Sequence, residues 1–265
     1  MSTIDNTASV IEQYKNDDNL SARIRLHAKH STNKQGLIPW LFSKYEFSDC
    51  KRILELGCGN GEQWANRIQQ LPSECILVLS DLSEGMVKTV WERYSDHKSL
   101  LVQSVDIQNI PFPDNCFDAV IANHMLYHIP ELSKALSEVN RILRSKGKFY
   151  ASTNGNGGMR PFLRNAFKQV NPEADFFTKT YSFSLQNGSD ILSEYFEDVQ
   201  RHDYTDSLSV TDTHDLMDWL KSTISMSAYS EKDLEGLFEY FESIRLREGS
   251  IIIPKEAGLF IASTQ

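Results

Sequence analysis

Ile53-Leu54-Glu55-Leu56-Gly57-Cys58-Gly59-Asn60-Gly61 is the stretch that decides the fold: an apolar run carrying one acidic residue and ending in three glycines at every second position. Glycine admits dihedrals closed to other residues and lets the main chain approach a ligand closely. A helix is expected over Glu62 to Leu71, stopped by Pro72, and its first turn would present free N–H groups. A nucleotide-like ligand is therefore expected at the end of this strand, because three alternating glycines exceed what a bare turn needs. The spacing is G-x-G-x-G, whereas the dinucleotide fingerprint is G-x-G-x-x-G. Glu55 would sit poorly beside a pyrophosphate and suits a ligand carrying an ammonium or sulfonium.

Outward from this stretch the same texture repeats. Strand-like segments at Cys75 to Leu79, Leu100 to Val105, Phe117 to Ala122 and Lys148 to Thr153 are separated by helical patterns at Ser83 to Tyr94 and Glu131 to Arg144. Short buried strands alternating with amphipathic helices predict an α/β, Rossmann-like doubly wound fold, a mostly parallel sheet with helices on both faces and right-handed crossovers. Residues 1–48 read as an N-terminal helical cover, with apolar groups at Val10, Ile11 and Tyr14, at Leu20, Ile24 and His27, and at Leu37, Trp40 and Leu41. The main domain is expected over 49–265. Past the loop Asn154-Gly155-Asn156-Gly157-Gly158, helices are expected around Pro161 to Val170, Gly188 to Tyr195, Thr213 to Ser222 and Glu231 to Arg247, with Asp212 or Thr213 as an N-cap. Strands are expected at Phe196 to Leu208 and Ile251 to Ala262. The insertions at about 154–195 and 212–249 are a natural place for a substrate lid.

Composition narrows the function. Lys and Arg number 27 against 36 Asp and Glu, a net charge of −9, which disfavours a nucleic acid partner. No apolar run approaches the roughly 18 residues of a spanning helix, so no membrane insertion is expected. The first fifteen residues hold Asp5 and Glu12 and no apolar core of a secretory signal. Cys50, Cys58, Cys75 and Cys116 form no CxxC pair and read as free thiols of a reducing, cytoplasmic setting. His124 and His128 have a metal-pair spacing, but Pro130 and the strand exit argue against a helix there, and no metal is expected.

With these motifs in order, the chain resembles the class I S-adenosylmethionine-dependent methyltransferases, in particular the ubiquinone and menaquinone methylase-like group of small-molecule enzymes. ILELGCGNG over 53 to 61 is similar to that family's first motif, DLSEGM from Asp81 to its second-strand exit, SVDIQNIPFPDNCFD to its third, and PFPDNCFDAVIANHMLYHIP to its fourth strand and exit loop. RILRSKGKFYAST follows as the next helix and strand, with Ser145-Lys146-Gly147 where the family more often has Pro-Gly-Gly. The resemblance implies a seven-stranded sheet with its last strand antiparallel, and S-adenosyl-L-methionine as cofactor. It implies that Glu55, Gly57, Cys58, Gly59 and Gly61 wrap the methionyl part and that Asp81 accepts the ribose hydroxyls. Leu82 and Met86 would flank adenine, Asp106 and Ile107 would read its edge, and Asn123 would lie at the fourth-strand exit. Asp81 and Asp106 could instead cap turns, and Met86 could be core packing.

His124, Tyr127 and His128 follow the fourth strand, and one of them would face the acceptor, an imidazole there being able to accept a proton. Packing or capping is the alternative for His128. Tyr14, Arg23, Arg25, His27 and His30 could meet the cofactor or acceptor or form a solvated helix face, and Trp219, Phe176 and Phe177 could line the acceptor pocket or be core. The expected activity is methyl transfer to an O, N or C atom of a small molecule. An NAD-type oxidoreductase and a non-catalytic nucleotide-binding regulatory module stand as alternatives, and the pattern fixes neither the acceptor nor the oligomeric state.

Overall fold

A computed structural model describes residues 25–223 and 230–265. Val10, Ile11, Tyr14, Leu20, Arg23 and Ile24, assigned above to the helical cover, lie outside the described residues.

β1 (Arg52–Leu56), β2 (Ile76–Asp81), β3 (Leu100–Ser104), β4 (Phe117–Asn123) and β5 (Leu143–Asn154) are joined by β6 (Asp198–Val210) and β7 (Ile251–Ser263) in one sheet, ordered β3-β2-β1-β4-β5-β7-β6. The first five pair in parallel, and β7 runs antiparallel to both β5 and β6. The strand order reverses between β1 and β4, and the carboxyl ends beside such a switch point are where doubly wound sheets bind ligands. β1 and β4 are buried on both faces, which explains why their sequences read as continuous apolar runs instead of alternating ones.

The helices follow. α1 spans Leu37–Phe42, α2 Glu84–Tyr94, α3 Leu132–Ile142, α4 Met159–Val170, α5 Gly188–Ser193, α6 Thr213–Thr223 and α7 Glu231–Glu248; residues 25–30 are also helical. Ser83 caps α2 by accepting from Met86 N, and Ser230 with Asp233 forms a capping box on α7. Asp212 accepts from His214 N at 3.0 Å at the head of α6. The longest described helix, α7, is charged throughout, and no described helix is long and apolar enough to cross a membrane.

Two expectations are corrected. Glu62 to Leu71 is not an α-helix: two 3₁₀ turns, Glu62–Trp64 and Ile68–Gln70, stand in its place. Ala65 is extended (φ −55°, ψ 123°) and Asn66 left-handed (φ 60°), so the helical path breaks just after Trp64, whose indole is fully buried and hydrogen-bonded below. The helix expected to reach Arg144 ends at Ile142, and β5 begins at Leu143, with Lys146 left-handed (φ 61°) at an irregularity that interrupts its pairing with β4.

Apolar packing on the two sheet faces is separate. Leu54, Leu56, Val120, Phe149 and α3 build one side, and Ile53, Leu77, Ile121, Tyr150, Trp64 and Trp40 of α1 the other. A third cluster unites the two insertions: Leu163 and Phe167 of α4, Leu216 of α6 and Leu237 of α7 pack with Leu26 of the cover and Ile251 of β7. The cover and both insertions thus converge over the β6–β7 end of the sheet.

Candidate functional site

The loop after β1 is shaped by left-handed residues. Gly57, Gly59 and Gly61 have φ of 71°, 57° and 71°, in the region an L side chain rarely adopts. A Cβ on Gly59 would meet nothing within 4 Å, so the loop is open at that point, whereas one on Gly61 would press on Tyr94 and Val90 of α2 at 3.1 and 3.2 Å. Cys58 N donates to Ser80 O at 2.9 Å and Gly59 N to Asp81 Oδ2 at 2.9 Å, which ties the loop to β2. Asp81 Oδ1 accepts from Ser83 N at 2.9 Å. Burial pushes the Asp81 carboxyl up from its ordinary range, opposed by the N–H groups of Ser83, Gly59 and Leu82.

Leu82 is exposed next to Asp81, while Met86 turns inward and is buried. Val105 N donates to Asp81 O at 3.2 Å, which sets the ends of β2 and β3 side by side. Asp106 Oδ1 accepts from Gln108 N at 2.8 Å, and Ile107 is buried in the core. Gly59, Asp81, Leu82 and Asp106 are therefore gathered at the carboxyl ends of β1 to β3, whereas Cys58, Met86 and Ile107 are buried.

Glu55 lies under this loop with no exposed surface. Trp64 Nε1 donates to its Oε2 at 2.5 Å, and Gln63 Nε2 and Asn123 Nδ2 donate to its Oε1, the latter at 3.5 Å. Every partner is a neutral N–H; among the described residues no Lys, Arg or His forms an ion pair with Glu55. Burial pushes its pKa up to about 8 against those donors, and the charge of Asp81 adds to the rise. Asn123 is drawn into the same network: its Nδ2 donates to Tyr45 Oη at 2.9 Å and to Gln63 Oε1 at 3.1 Å, and its Oδ1 accepts from Ser152 Oγ at 2.8 Å. Tyr45, Gln63, Trp64 and Ser152 were not singled out in the sequence. Trp64 at the ninth position after Glu55 is unusual in a glycine loop, but nothing local announces that it seals the carboxylate.

Past β4 the chain turns sharply. His124 is left-handed (φ 51°), a conformation in which His is enriched, and its N donates to Ser152 O at 3.0 Å. Its Nε2 is buried without a partner, and burial together with the Lys255 ammonium lowers its pKa to about 4. Leu126–His128 forms one 3₁₀ turn. Tyr127 is buried with its ring against His128 (centroids 4.5 Å) and Tyr181 (4.8 Å), so the three candidates of this loop are not equivalent: the Tyr127 and His128 rings meet at a tilt of 58°, and His124 turns a bare nitrogen inward.

A second charged group lies nearby. On β6 and β7 one face reads Val210, Leu208, Asp206, Tyr204 against Ile251, Ile253, Lys255, Ala257, an ion pair set into an apolar stripe. Asp206 bonds Lys255 Nζ and also accepts from Ser31 Oγ (2.5 Å) and Asn33 N (3.0 Å) of the cover. Burial alone would raise its pKa, but Lys255, Ser31 and Asn33 outweigh it and hold the carboxyl at about 2. Asp215 makes a second clasp, bonding His30 Nε2 at 2.7 Å and Lys29 Nζ at 2.6 Å. Just ahead of both clasps in the chain stands His27, whose Nδ1 is buried without a partner; burial, then Lys255, lowers its pKa to about 3. The Asp206 latch has a legible signal: a charge at the inward position of a strand that alternates.

The remaining candidates fall elsewhere. Arg25 faces Asp218 at the surface, 3.8 Å away. Phe176 and Phe177 pack on Phe167 (4.8 and 5.9 Å), and Trp219 joins the same helical cluster.

Comparison with known proteins follows the same outline. Residues 54–151 match the family model described as a methyltransferase domain. The chain is 31% identical over 100 residues to a demethylmenaquinone methyltransferase of Symbiobacterium thermophilum (37% of this chain, 40% of that one). It is 27% identical over 148 residues to a malonyl-[acyl-carrier protein] O-methyltransferase of Legionella pneumophila (56% and 51%). The chain thus spans about half, or less, of the length of these relatives. Among solved structures, the YcgJ protein from Bacillus subtilis superposes with a TM-score of 0.60 at 15% identity, covering 86% of this chain and 97% of that one. A phosphoethanolamine N-methyltransferase 2 from Haemonchus contortus, in complex with S-adenosyl-L-methionine, superposes at 0.58 and 17%, covering 100% and 60%. These likenesses show a shared fold.

Proposed function

We propose, for a chain that belongs through residues 54–151 to the class I S-adenosylmethionine-dependent methyltransferases, that it transfers a methyl group from S-adenosyl-L-methionine to an O, N or C atom of a small molecule. The observation that carries the reading is Glu55: a carboxylate without exposed surface, hydrogen-bonded only by neutral groups and without a cationic partner among the described residues. Such a group is costly to ionise, and the positive charge of a sulfonium and an ammonium offsets that cost where a pyrophosphate would add to it. The residues present fit the cofactor.

In this reading the open backbone at Gly59 admits the methionyl portion, while Asp81, already fixed by two backbone N–H groups, keeps lone pairs for two ribose hydroxyls. Leu82 offers apolar surface to the adenine, and Asp106 lies at the next strand end to accept from its amino group. When bound, the cofactor supplies an electrophilic methyl carbon. The chain's own part is to align and desolvate the acceptor and, at His124 Nε2, to accept its hydrogen bond. The net charge of −9 supports a small-molecule acceptor over a nucleic acid, and four buried free thiols support a reducing compartment such as the cytoplasm.

Calorimetric titration with S-adenosylmethionine, S-adenosylhomocysteine and NADH tests the reading. Binding of the first two and indifference to NADH is expected; a preference for NADH, or indifference to all three at millimolar concentration by folded protein, sinks it.

A further inference from the structure

Two buried nitrogens without partners lie on elements far apart in sequence. His124 Nε2 comes from the turn after β4, and His27 Nδ1 from the helical stretch 25–30 of the cover. His124 leaves β4 bonded to Ser152 of β5, β7 runs past the same end of β5 through Ala257 to Lys255, and the Lys255 partner Asp206 holds Ser31, four residues after His27, so both rings belong to one region, in which Lys255 acts electrostatically on each. Buried polar atoms almost always have hydrogen-bond partners, and two bare ones in one region call for a ligand.

We propose that His27 and His124 form the binding site for the methyl acceptor, and that the acceptor presents an uncharged hydroxyl group to them. The inference rests on the methyltransferase reading. Each neutral imidazole carries one donor and one acceptor nitrogen, and a hydroxyl, which both donates and accepts, can satisfy one of each. A carboxylate can only accept and an ammonium only donate, and either would bring an unpaired charge against two nitrogens shielded from solvent. The strong cation there, Lys255, is already paired with Asp206, so the pair leaves no free charge for an acidic or a basic acceptor.

The site is built to hold its geometry. His124 keeps a left-handed backbone because its N–H is tied to Ser152 O, and strain of this kind persists where the surroundings over-determine it. His27 is placed by the clasps that follow it, Ser31 and Asn33 on Asp206 and His30 on Asp215.

The test uses the full chain loaded with S-adenosylhomocysteine and labelled in its histidine rings. Three probes of similar size, phenol, benzoate and benzylammonium, are titrated while the ring resonances are followed by NMR. Phenol is expected to shift the His27 and His124 signals. His124→Asn, which removes the Nε2 position but tolerates a left-handed backbone, should weaken phenol by about tenfold or more. His124→Gln, whose amide reaches the Nε2 position, should hold phenol affinity within about threefold. At the other ring, His27→Asn should be the milder change and His27→Gln the harsher, since Asn imitates Nδ1. Affinity for S-adenosylhomocysteine should not move in any of the four. Equal phenol affinity in all variants overturns the proposal, as does tighter binding of benzoate or benzylammonium. Wild-type protein that binds no S-adenosylhomocysteine overturns the reading beneath it, an outcome scored before any probe is added.

Discussion

Gly59 and Asp81 are joined by a single hydrogen bond, backbone N to Oδ2 at 2.9 Å, that couples the glycine loop after β1 to the end of β2. One carboxylate thereby shapes the loop and, in the proposed reading, would also accept from the cofactor ribose. Asp81→Ala should weaken S-adenosylhomocysteine binding by about 1–3 kcal/mol while the chain still folds cooperatively. Calorimetry beside a melting curve checks both; unchanged affinity would remove Asp81 from the site.

Glu55 predicts a proton released on binding. Its pKa of about 8 leaves it largely protonated at pH 7, and a sulfonium placed near it favours the ionised form. Titrating S-adenosylmethionine at pH 7 in two buffers of different ionisation enthalpy should show a fraction of a proton leaving per cofactor. Glu55→Gln should abolish that release. A wild-type signal identical in both buffers would contradict the assignment.

Stability between pH 7 and 5 is set by opposing groups. His27 and His124, held at about 3 and about 4 against an ordinary 6.5, bind fewer protons folded than unfolded, so stability is lost as pH falls below 6.5. Glu55, raised to about 8, binds more protons folded than unfolded between 4.5 and 8, so its contribution rises as pH falls. Two histidines outweigh one carboxyl, and these three groups together should cost about 1–2 kcal/mol between pH 7 and 5. Urea titrations should show the loss steepened in Glu55→Gln and reversed in the double variant His27→Asn, His124→Asn.

The Asp206 latch predicts a linked loss of stability and of the cover. Removing its side chain leaves Lys255 buried and unpaired, a change that costs about 3–5 kcal/mol. Asp206→Ala should lower the melting temperature and open residues 31–33 to limited proteolysis, because Ser31 and Asn33 lose their acceptor. Ser31→Ala should reproduce the proteolysis at about 1 kcal/mol of stability. Protection of that segment in both variants would show that the latch does not hold it.

The sheet was legible because its signals are local. β1, β2 and β4 are short apolar runs, α2 and α3 repeat apolar positions at helical spacing, and Gly57, Gly59 and Gly61 mark a left-handed path that only glycine takes readily. Asp81 and Asp106 could be placed because a strand end is a position in the chain. The stretch Glu62 to Leu71 escaped for the opposite reason. Its polar, helix-favouring composition is overridden by Trp64, which must reach Glu55, and a tertiary hydrogen bond in a buried site outweighs the few tenths of a kcal/mol per residue by which propensity differs.

What the sequence alone determined, then, is the order of strands and helices, the glycine loop and the acidic residues that end the second and third strands, all set by forces acting within a few residues. Tertiary structure decided which polar groups share a buried space: Glu55 with Trp64 and Asn123, and Asp206 with Lys255 and Ser31. Those pairings depend on the crossing of distant segments over the sheet, and the charge a group carries there follows from the water it loses, which no residue records in its own neighbourhood along the chain.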